Sequence, residues 1–213
     1  MKTIYMDATW RRLLLWCLFS IIYYGALTAQ ENESAHMHEV GLQISNFDLR
    51  NFGVVYKIQR PNNENHYMRY RFLVGNIQFS TSPDNNVQNY NANVSGNVGL
   101  EKRIVWSNRI QFMHGPEAFV GFNYSSQRQD DPVSRQLGLS AGVGYILGLQ
   151  YHINDQFYIS VESIPGVFYR YNENKQFLTF FPSRISRNHT IGAFANSESL
   201  LLSFVCRFNK KSK

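Results

Sequence analysis

The stretch QLGLSAGVGYILGLQYHIN, residues 136–154, constrains this chain more than any other. Every second residue from Leu137 to Ile153 is apolar or aromatic: Leu137, Leu139, Ala141, Val143, Tyr145, Leu147, Leu149, Tyr151 and Ile153. The residues between them are small or polar apart from Ile146: Gly138, Ser140, Gly142, Gly144, Gly148, Gln150 and His152. A period of two sustained this far predicts one long β-strand with a greasy face and a non-greasy face. It excludes an amphipathic helix, and it removes Gly142 and Gly144 as a nucleotide loop, which would have to open a helix. What remains is to decide what each face touches.

A ligand barrel in water and a barrel in a membrane share this alternation and differ in which face is greasy. The non-greasy face between Gly138 and Gly148 carries no charge. As a water-facing exterior it would be bare backbone. As the interior of a narrow barrel it leaves room for long side chains reaching across from opposite strands. The greasy face is therefore expected to touch lipid, where only helices and closed barrels satisfy the whole backbone. Composition agrees: 17% of the 213 residues are charged and 15% are aromatic.

The rest of the chain reads the same way. Strand-like runs are expected at about 36–45, 52–59, 66–79, 91–103, 109–125 (interrupted near Gly115-Pro116), 137–153, 157–171 and one ending at Phe208. The segments between them are rich in Asn, Asp, Ser, Gly and Pro, the residues of turns. Short connections (61–65, 104–108, 154–156) alternate with long ones (80–90, 126–135, 172–189), and 46–51 is short for its class. An even number of antiparallel strands with alternating connections predicts an all-β, antiparallel, up-and-down transmembrane β-barrel of eight strands. Short turns would face the periplasm, and long loops near Asp84, Asp130 and Glu173 the outside. Candidate lumen side chains are Lys57, Arg69, Arg71, Glu101, Arg103, Glu162, Arg170 and Arg207. A buried carboxylate must be paired, so Glu162 is expected to meet Arg103, Arg170 or Arg69. Tyr56, Tyr124, Tyr145, Tyr151, Tyr169 and Phe208 are expected at the membrane interfaces. In the last strand Leu200, Leu202, Phe204, Cys206 and Phe208 should face lipid and Arg207 the lumen.

The first residues differ. Lys2, Arg11 and Arg12 precede an uncharged run from Leu13 to Leu27, then Thr28-Ala29 and a polar stretch. This three-part form predicts a secretory signal over 1–29, cut after Ala29, and leaves 30–213 as the barrel domain. The apolar run falls short of the ~20 residues that a helical span needs. Cys17 follows the bulky Trp16, which argues against a lipidated cysteine. Cys206 is then the one mature thiol, so no internal disulfide is expected.

Four stretches carry a resemblance: GLEKR (99–103), HGPEAFVGFNYSS (114–126), VESIPGVFYRY (161–171) and LLLSFVCRF (200–208), with the signal ending Ala29-Gln30. In these the chain resembles the small outer-membrane β-barrel domain proteins of Bacteroidetes-type bacteria. The resemblance spans nearly the whole mature chain and implies an outer-membrane barrel of mostly unassigned role, with no catalytic residues to carry over. Its last strand is similar to the C-terminal signal read by the barrel-assembly machinery, although here five residues follow Phe208.

Chemical sites are few. His36 and His38 share a strand face as two metal ligands could, but no third ligand is nearby, and a polar strand entry at the periplasmic rim is the expectation. Asp130, Asp131 and His189 could form a catalytic set at the barrel mouth; as loop residues they need no such role. The segment Phe177–Pro182 is apolar for a loop: it would either dock a partner or lipopolysaccharide or extend a strand over the mouth. The net charge of +6 is scattered, with one basic run at Lys210-Lys211-Ser212-Lys213, so no nucleic-acid partner is expected. The expected function is a non-enzymatic barrel in the bacterial outer membrane, structural or binding through its extracellular loops, without metal or cofactor. Its expected partners are outer-membrane lipid, lipopolysaccharide and the assembly machinery, with the external ligand unknown. An enzyme at the barrel mouth is the alternative, and a narrow pore a weaker one.

Overall fold

A computed structural model describes residues 37–45, 48–61, 63–82, 87–128, 133–178, 181–194 and 200–208. The expected signal segment, His36, Asp84, Asp130, Asp131 and the basic tail lie outside the described residues. Among the described residues ten strands form: β1 (His38–Ser45), β2 (Asp48–Arg60), β3 (Asn63–Ser82), β4 (Val87–Val105), β5 (Ile110–Arg128), β6 (Val133–His152), β7 (Phe157–Ser163), β8 (Gly166–Leu178), β9 (Phe181–Phe194) and β10 (Leu200–Phe208). Eight of them, β1 to β7 and β10, close into an antiparallel ring. The seam is the pairing of β10 with β1, from His38 opposite Phe208 to Ser45 opposite Leu201. Closure removes both sheet edges at that level, as the final strand was expected to do.

The alternation decides which residues face out. On β6, Leu139, Val143, Tyr145, Leu147, Leu149 and Tyr151 are all exposed, while Ile146 and Gln150 between them are buried. The small residues of the inner face admit side chains from their neighbours. A methyl added at Gly148 would meet Met113 and Glu162, and one at Gly142 would meet the ring of Phe119. Ile146, the exception to the polar pattern, faces inward with Ile164 and Leu201 in a small apolar layer. The turns at the closed end are built locally. Asn154 Oδ1 accepts from the amides of Gln156 and Phe157 at 2.9 and 2.8 Å, and Ser107 Oγ accepts from Ile110 at 3.2 Å.

The other end departs from expectation. Residues 172–189 are not the longest loop: β8 and β9 pair from Gly166 opposite Phe194 to Leu178 opposite Phe181 as a hairpin. Phe177 thus lies on a strand, with the Arg135 guanidinium 5.5 Å from its ring centre, and Glu173 is a strand residue too. Likewise β3 runs to Ser82, β5 to Arg128, and β6 starts at Val133. The short connections occur where expected, between Arg60 and Asn63, Val105 and Ile110, and His152 and Phe157, while much of each expected long connection is taken up by strands of unequal length. β2 also begins at Asp48, inside the expected turn 46–51. The expected interruption of the fifth strand is absent. β5 pairs with β6 without a break, and only on the β4 side does the ladder skip Leu100 and Glu101, between Gly99–Glu117 and Lys102–His114. Pro116 has no N–H to give there. Gly115 is required because a Cβ at that position would run into the Leu100 carbonyl.

The inequality of the strands shapes the molecule. At ~3.4 Å per residue a twenty-residue strand is roughly 65 Å long, about twice what crosses an apolar band ~25 Å tall even when tilted. β3 and β6 have 20 residues and β4 and β5 have 19, whereas β1 has 8. The wall is therefore low at the β1–β2 hairpin and high along β3 to β6, with β8 and β9 rising above the short β7 and β10. Among the described residues β3 has no β2 partner above Gly75, and β9 ends the sheet order with one edge unpaired. β3, β4, β5, β6, β8 and β9 rise as an open, curved sheet with a gap on the β1–β2 side.

Candidate functional site

The lumen divides into a filled lower part and an open upper part. In the lower part four carboxylates interleave with five cations. Glu39 receives both Nη atoms of Arg103 at 2.8 and 2.6 Å, Arg207 Nε at 2.9 Å and the Tyr158 hydroxyl at 2.6 Å. Glu101 receives Lys57 Nζ and Arg103 Nε, each at 2.7 Å, with Arg69 Nη1 at 3.4 Å. Glu162 is bound by Arg69 Nη2, takes the Ser160 hydroxyl at 3.1 Å, and has Lys57 Nζ at 4.0 Å. Glu117 is bound by Arg71 Nη2 and accepts from Asn97 Nδ2 at 2.7 Å. Lys57, Arg69, Glu39 and Glu101 are almost wholly buried. Charges taken out of water are tolerated only when each is matched in this way.

Of the expected lumen residues, Lys57, Arg69, Arg71, Glu101, Arg103, Glu162 and Arg207 join this network, and the partner of Glu162 is Arg69. Arg170 does not join it. It lies higher, with its guanidinium 5.0 Å from the ring centre of Phe168. Sequence reasoning missed two members. Glu39 stands in what reads as a polar strand entry, and Glu117 follows the glycine–proline pair of the expected interruption. Reading β5 straight through with a period of two would have found Glu117, because Met113, Gly115 and Glu117 share the buried face.

Above this layer lies a cavity of about 700 Å³. Arg71, Asn97 and Glu117 line its lower end, and Phe119, Phe168 and Phe194 form one side. Phe194 meets Phe119 edge-on at 5.7 Å and Phe168 at 6.1 Å. The strand pairings carry a polar lattice up the wall. Asn93, Asn123, Gly138, Asn172 and Asn188 stand opposite one another in sequence across five strands. One step higher the row is Gln78, Asn91, Ser125, Gln136, Asn174 and Ser186. Above it come Ser80, Asn89, Gln127, Ser134, Gln176 and Arg184. Among the described residues this wall above Glu117 holds no carboxylate, and its only cations are Arg170 and Arg184. Buried Arg71 Nε, Asn91 Oδ1 and Asn97 Oδ1 have no hydrogen-bond partner.

The other sequence candidates separate. His38 Nδ1 and the Tyr56 hydroxyl are 2.8 Å apart, with the rings stacked on the outside of the barrel. His189 also faces out and pairs with the Tyr169 hydroxyl at 2.5 Å, away from the lumen. No group of three or more His, Cys, Asp or Glu that could hold a metal occurs among the described residues. On the outer face of the β8–β9 hairpin, Glu173 pairs with Lys175 at 2.8 Å and Arg187 at 3.1 Å and accepts from Tyr171 at 3.0 Å. Hydrogen bonds from Lys175, Tyr171 and Arg187 hold its carboxyl down to about 2.

No family model matches the chain, and no curated protein does. Among solved structures the fold is similar to a major outer membrane protein from Thermus thermophilus, with a TM-score of 0.53 at 9% identity, covering 83% of this chain and all of that one. Neisserial surface protein A aligns over 84% of this chain and all of its own, at 14% identity and a TM-score of 0.41. At such identity the likeness is one of fold: the chain has the fold of a small outer-membrane β-barrel.

Proposed function

We propose that this chain is a bacterial outer-membrane protein, closed to ion flow and without enzymatic activity, that binds on its outer side through the inner wall of its protruding sheet. The carrying observation is the juxtaposition of a lumen filled by matched charges with an open polar trough above it. An eight-stranded barrel leaves an interior just wide enough for side chains to fill, and buried Lys57, Arg69, Glu101 and Glu162 fill it here. Strands that outrun the lipid by about half their length build a wall with no role in spanning. The binding surface is thus that wall rather than the loops. Outer-membrane lipid and lipopolysaccharide would surround the apolar band, and the assembly machinery would read Leu200–Phe208. A bacterium of the Bacteroidetes type is the proposed source of the fold variant, on the stretches quoted above.

The test has two parts. A cysteine at Asn188, in a Cys206→Ser background, should react with a membrane-impermeant maleimide on intact cells, while one at Asp155 should react only after the outer membrane is opened. The purified barrel in a planar bilayer should show no steady conductance. Reaction at Asp155 on intact cells, or a stable open channel, would overturn the proposal.

A further inference from the structure

The trough has a chemistry of its own, and we infer that it takes a neutral oligosaccharide. This rests on the binding role proposed above and names the class of ligand. Three observations on the wall converge. The first is the near absence of charge. A charged ligand is recognised by opposite charges placed to meet it; among the described residues the rows carry no carboxylate, and the cations of the wall are Arg184 at the end of the top row and Arg170 below the rows, both to one side. An apolar ligand would cover the amides and hydroxyls of the upper rows without pairing them, and would find ring surface only at the lower end.

The second observation is what the wall offers instead. Asn and Gln each present two donors and an acceptor, and Ser presents a donor and an acceptor. A sugar hydroxyl both donates and accepts, so it matches either group in either direction. The rows repeat this chemistry at the ~4.8 Å spacing of adjacent strands, giving many equivalent partners along a curved wall. At its lower end Phe119, Phe168 and Phe194 add ring surface against which the apolar face of a sugar ring can lie. Gly142 and Gly192 make room for these rings: a methyl at either would strike Phe119 or Phe168.

The third observation points to a missing partner. Arg71 is more than nine-tenths buried, yet its Nε has no hydrogen-bond partner, and neither has Asn97 Oδ1 or Asn91 Oδ1. A buried polar atom left unpaired costs about 1–3 kcal/mol. All three belong to the inner wall, two of them to residues lining the lower end of the cavity. As the side chains stand these atoms are shut off from the cavity; a turn of each side chain toward it lets hydroxyls of a bound sugar supply the acceptor that Arg71 lacks and the donors that the two asparagines lack. The cavity volume lies within the range that drug-sized ligands occupy, roughly two or three sugar rings, and the gap on the β1–β2 side lets a longer chain leave sideways.

The experiment uses the full-length barrel in a phosphocholine detergent, because glycoside detergents would compete. The probes are fluorescently labelled neutral oligosaccharides of glucose, mannose, galactose and N-acetylglucosamine, two to six rings long. Sulfated and sialylated glycans and an extended Ser/Thr-rich peptide serve as comparisons. At least one neutral series should bind with a Kd below about 1 mM, with little change between low and high salt. Asn123→Leu and Asn172→Leu should each weaken it at least tenfold, as should Phe119→Leu. Ile191→Ser on the outer face should leave it unchanged. A folded barrel that binds none of the neutral series overturns the inference. So does binding that survives the wall substitutions, or preference for the charged glycans or for the peptide, which would instead pair with the open edge of β9. If Asn188 is surface-labelled while no neutral glycan binds, the binding role stands and only the ligand class falls. The heat-dependent gel shift of each variant separates lost binding from lost folding.

Discussion

Removing the Glu162 carboxylate tests the lower lumen most directly. In the network Glu39, Glu101, Glu117 and Glu162 face Lys57, Arg69, Arg71, Arg103 and Arg207, so cations already exceed carboxylates by one. Glu162→Leu widens that excess and strips Arg69 Nη2 of its acceptor. Arg69 keeps Glu101 at 3.4 Å and a skewed approach to Glu117 at 3.5 Å, both long for a charged hydrogen bond. Breaking one side of a buried pair costs about 3–5 kcal/mol, because the survivor stays buried and unmatched. Arg69→Leu should cost less. It restores the balance of charge, and the Lys57 ammonium, 2.7 Å from Glu101 and 4.0 Å from Glu162, can move between the two carboxylates. The double substitution replaces the pair with apolar side chains, and such replacements are close to neutral. It should therefore sit within about 1 kcal/mol of wild type, a strong positive coupling between neighbours. Urea unfolding of the four proteins in lipid vesicles reads these values. If the double variant loses as much as the two single variants together, Glu162 and Arg69 are not a coupled pair and the account of the lumen is wrong.

Four further outcomes are expected. An epitope tag inserted at Asp130 should be labelled on intact cells and one at Asp155 should not; the reverse would invert the topology. Deleting 209–213 should leave membrane insertion intact, while deleting 204–213 or changing Phe208 to Asp should abolish or strongly reduce it, as read by the heat-dependent gel shift. Gly115→Ala should destabilise by about 1–3 kcal/mol, because the new methyl meets the Leu100 carbonyl. Gly96→Ala, with nothing within 4 Å of the added carbon, should stay within about 0.5 kcal/mol, so equal effects would remove the steric argument. The Glu173 carboxyl titrates near 2 against an ordinary 4.5, so its support of the β8–β9 hairpin is complete above about pH 4.5 and fades as pH falls toward 2. The protection of amides in residues 169–176, taken relative to the intrinsic exchange rate at each pH, should fall over that window in wild type and stay constant in Glu173→Gln.

What was legible in the sequence followed from covalent geometry. Side chains alternate across a strand whatever surrounds it. Where one face meets lipid and the other a narrow lumen, each face must carry its own chemistry. Leu139 to Tyr151 outside, Lys57, Arg69, Arg103 and Glu162 inside, and the placement of Leu200 to Phe208 could therefore all be read directly. Even the pairing of Glu162 came from the cost of an unmatched buried charge, with three candidates and Arg69 the one in reach. Glu39 and Glu117 obey the same alternation. They are hidden in the sequence because a pair of histidines beside Glu39 and the Gly115-Pro116 pair before Glu117 mask the period of two locally.

The upper wall was illegible for the complementary reason. Once a strand leaves the lipid, neither face has to be apolar, and the contrast that marks a strand disappears. Residues 172–189 carry Asn172, Glu173, Asn174, Ser186, Arg187 and Asn188, the composition of a loop, yet 172–178 and 181–189 lie in two paired strands. The information was present at a longer range. Asn172 is set against Gly138 on one side and Asn188 on the other, and Asn123 against Asn93 and Gly138, so the amides line up only after the register is known. Register in turn is fixed lower down, where a slip by one residue would turn Glu162 and Arg69 toward lipid and Leu149 and Tyr151 into the lumen. The charged layer thus does two jobs. It fills the barrel, and by forbidding any other register it sets the alignment of the polar rows above it, where the strands themselves have no apolar face to hold them in place. A substitution that loosens the lower network should therefore disorder the trough before it unfolds the barrel, and binding at the wall should be the first property lost.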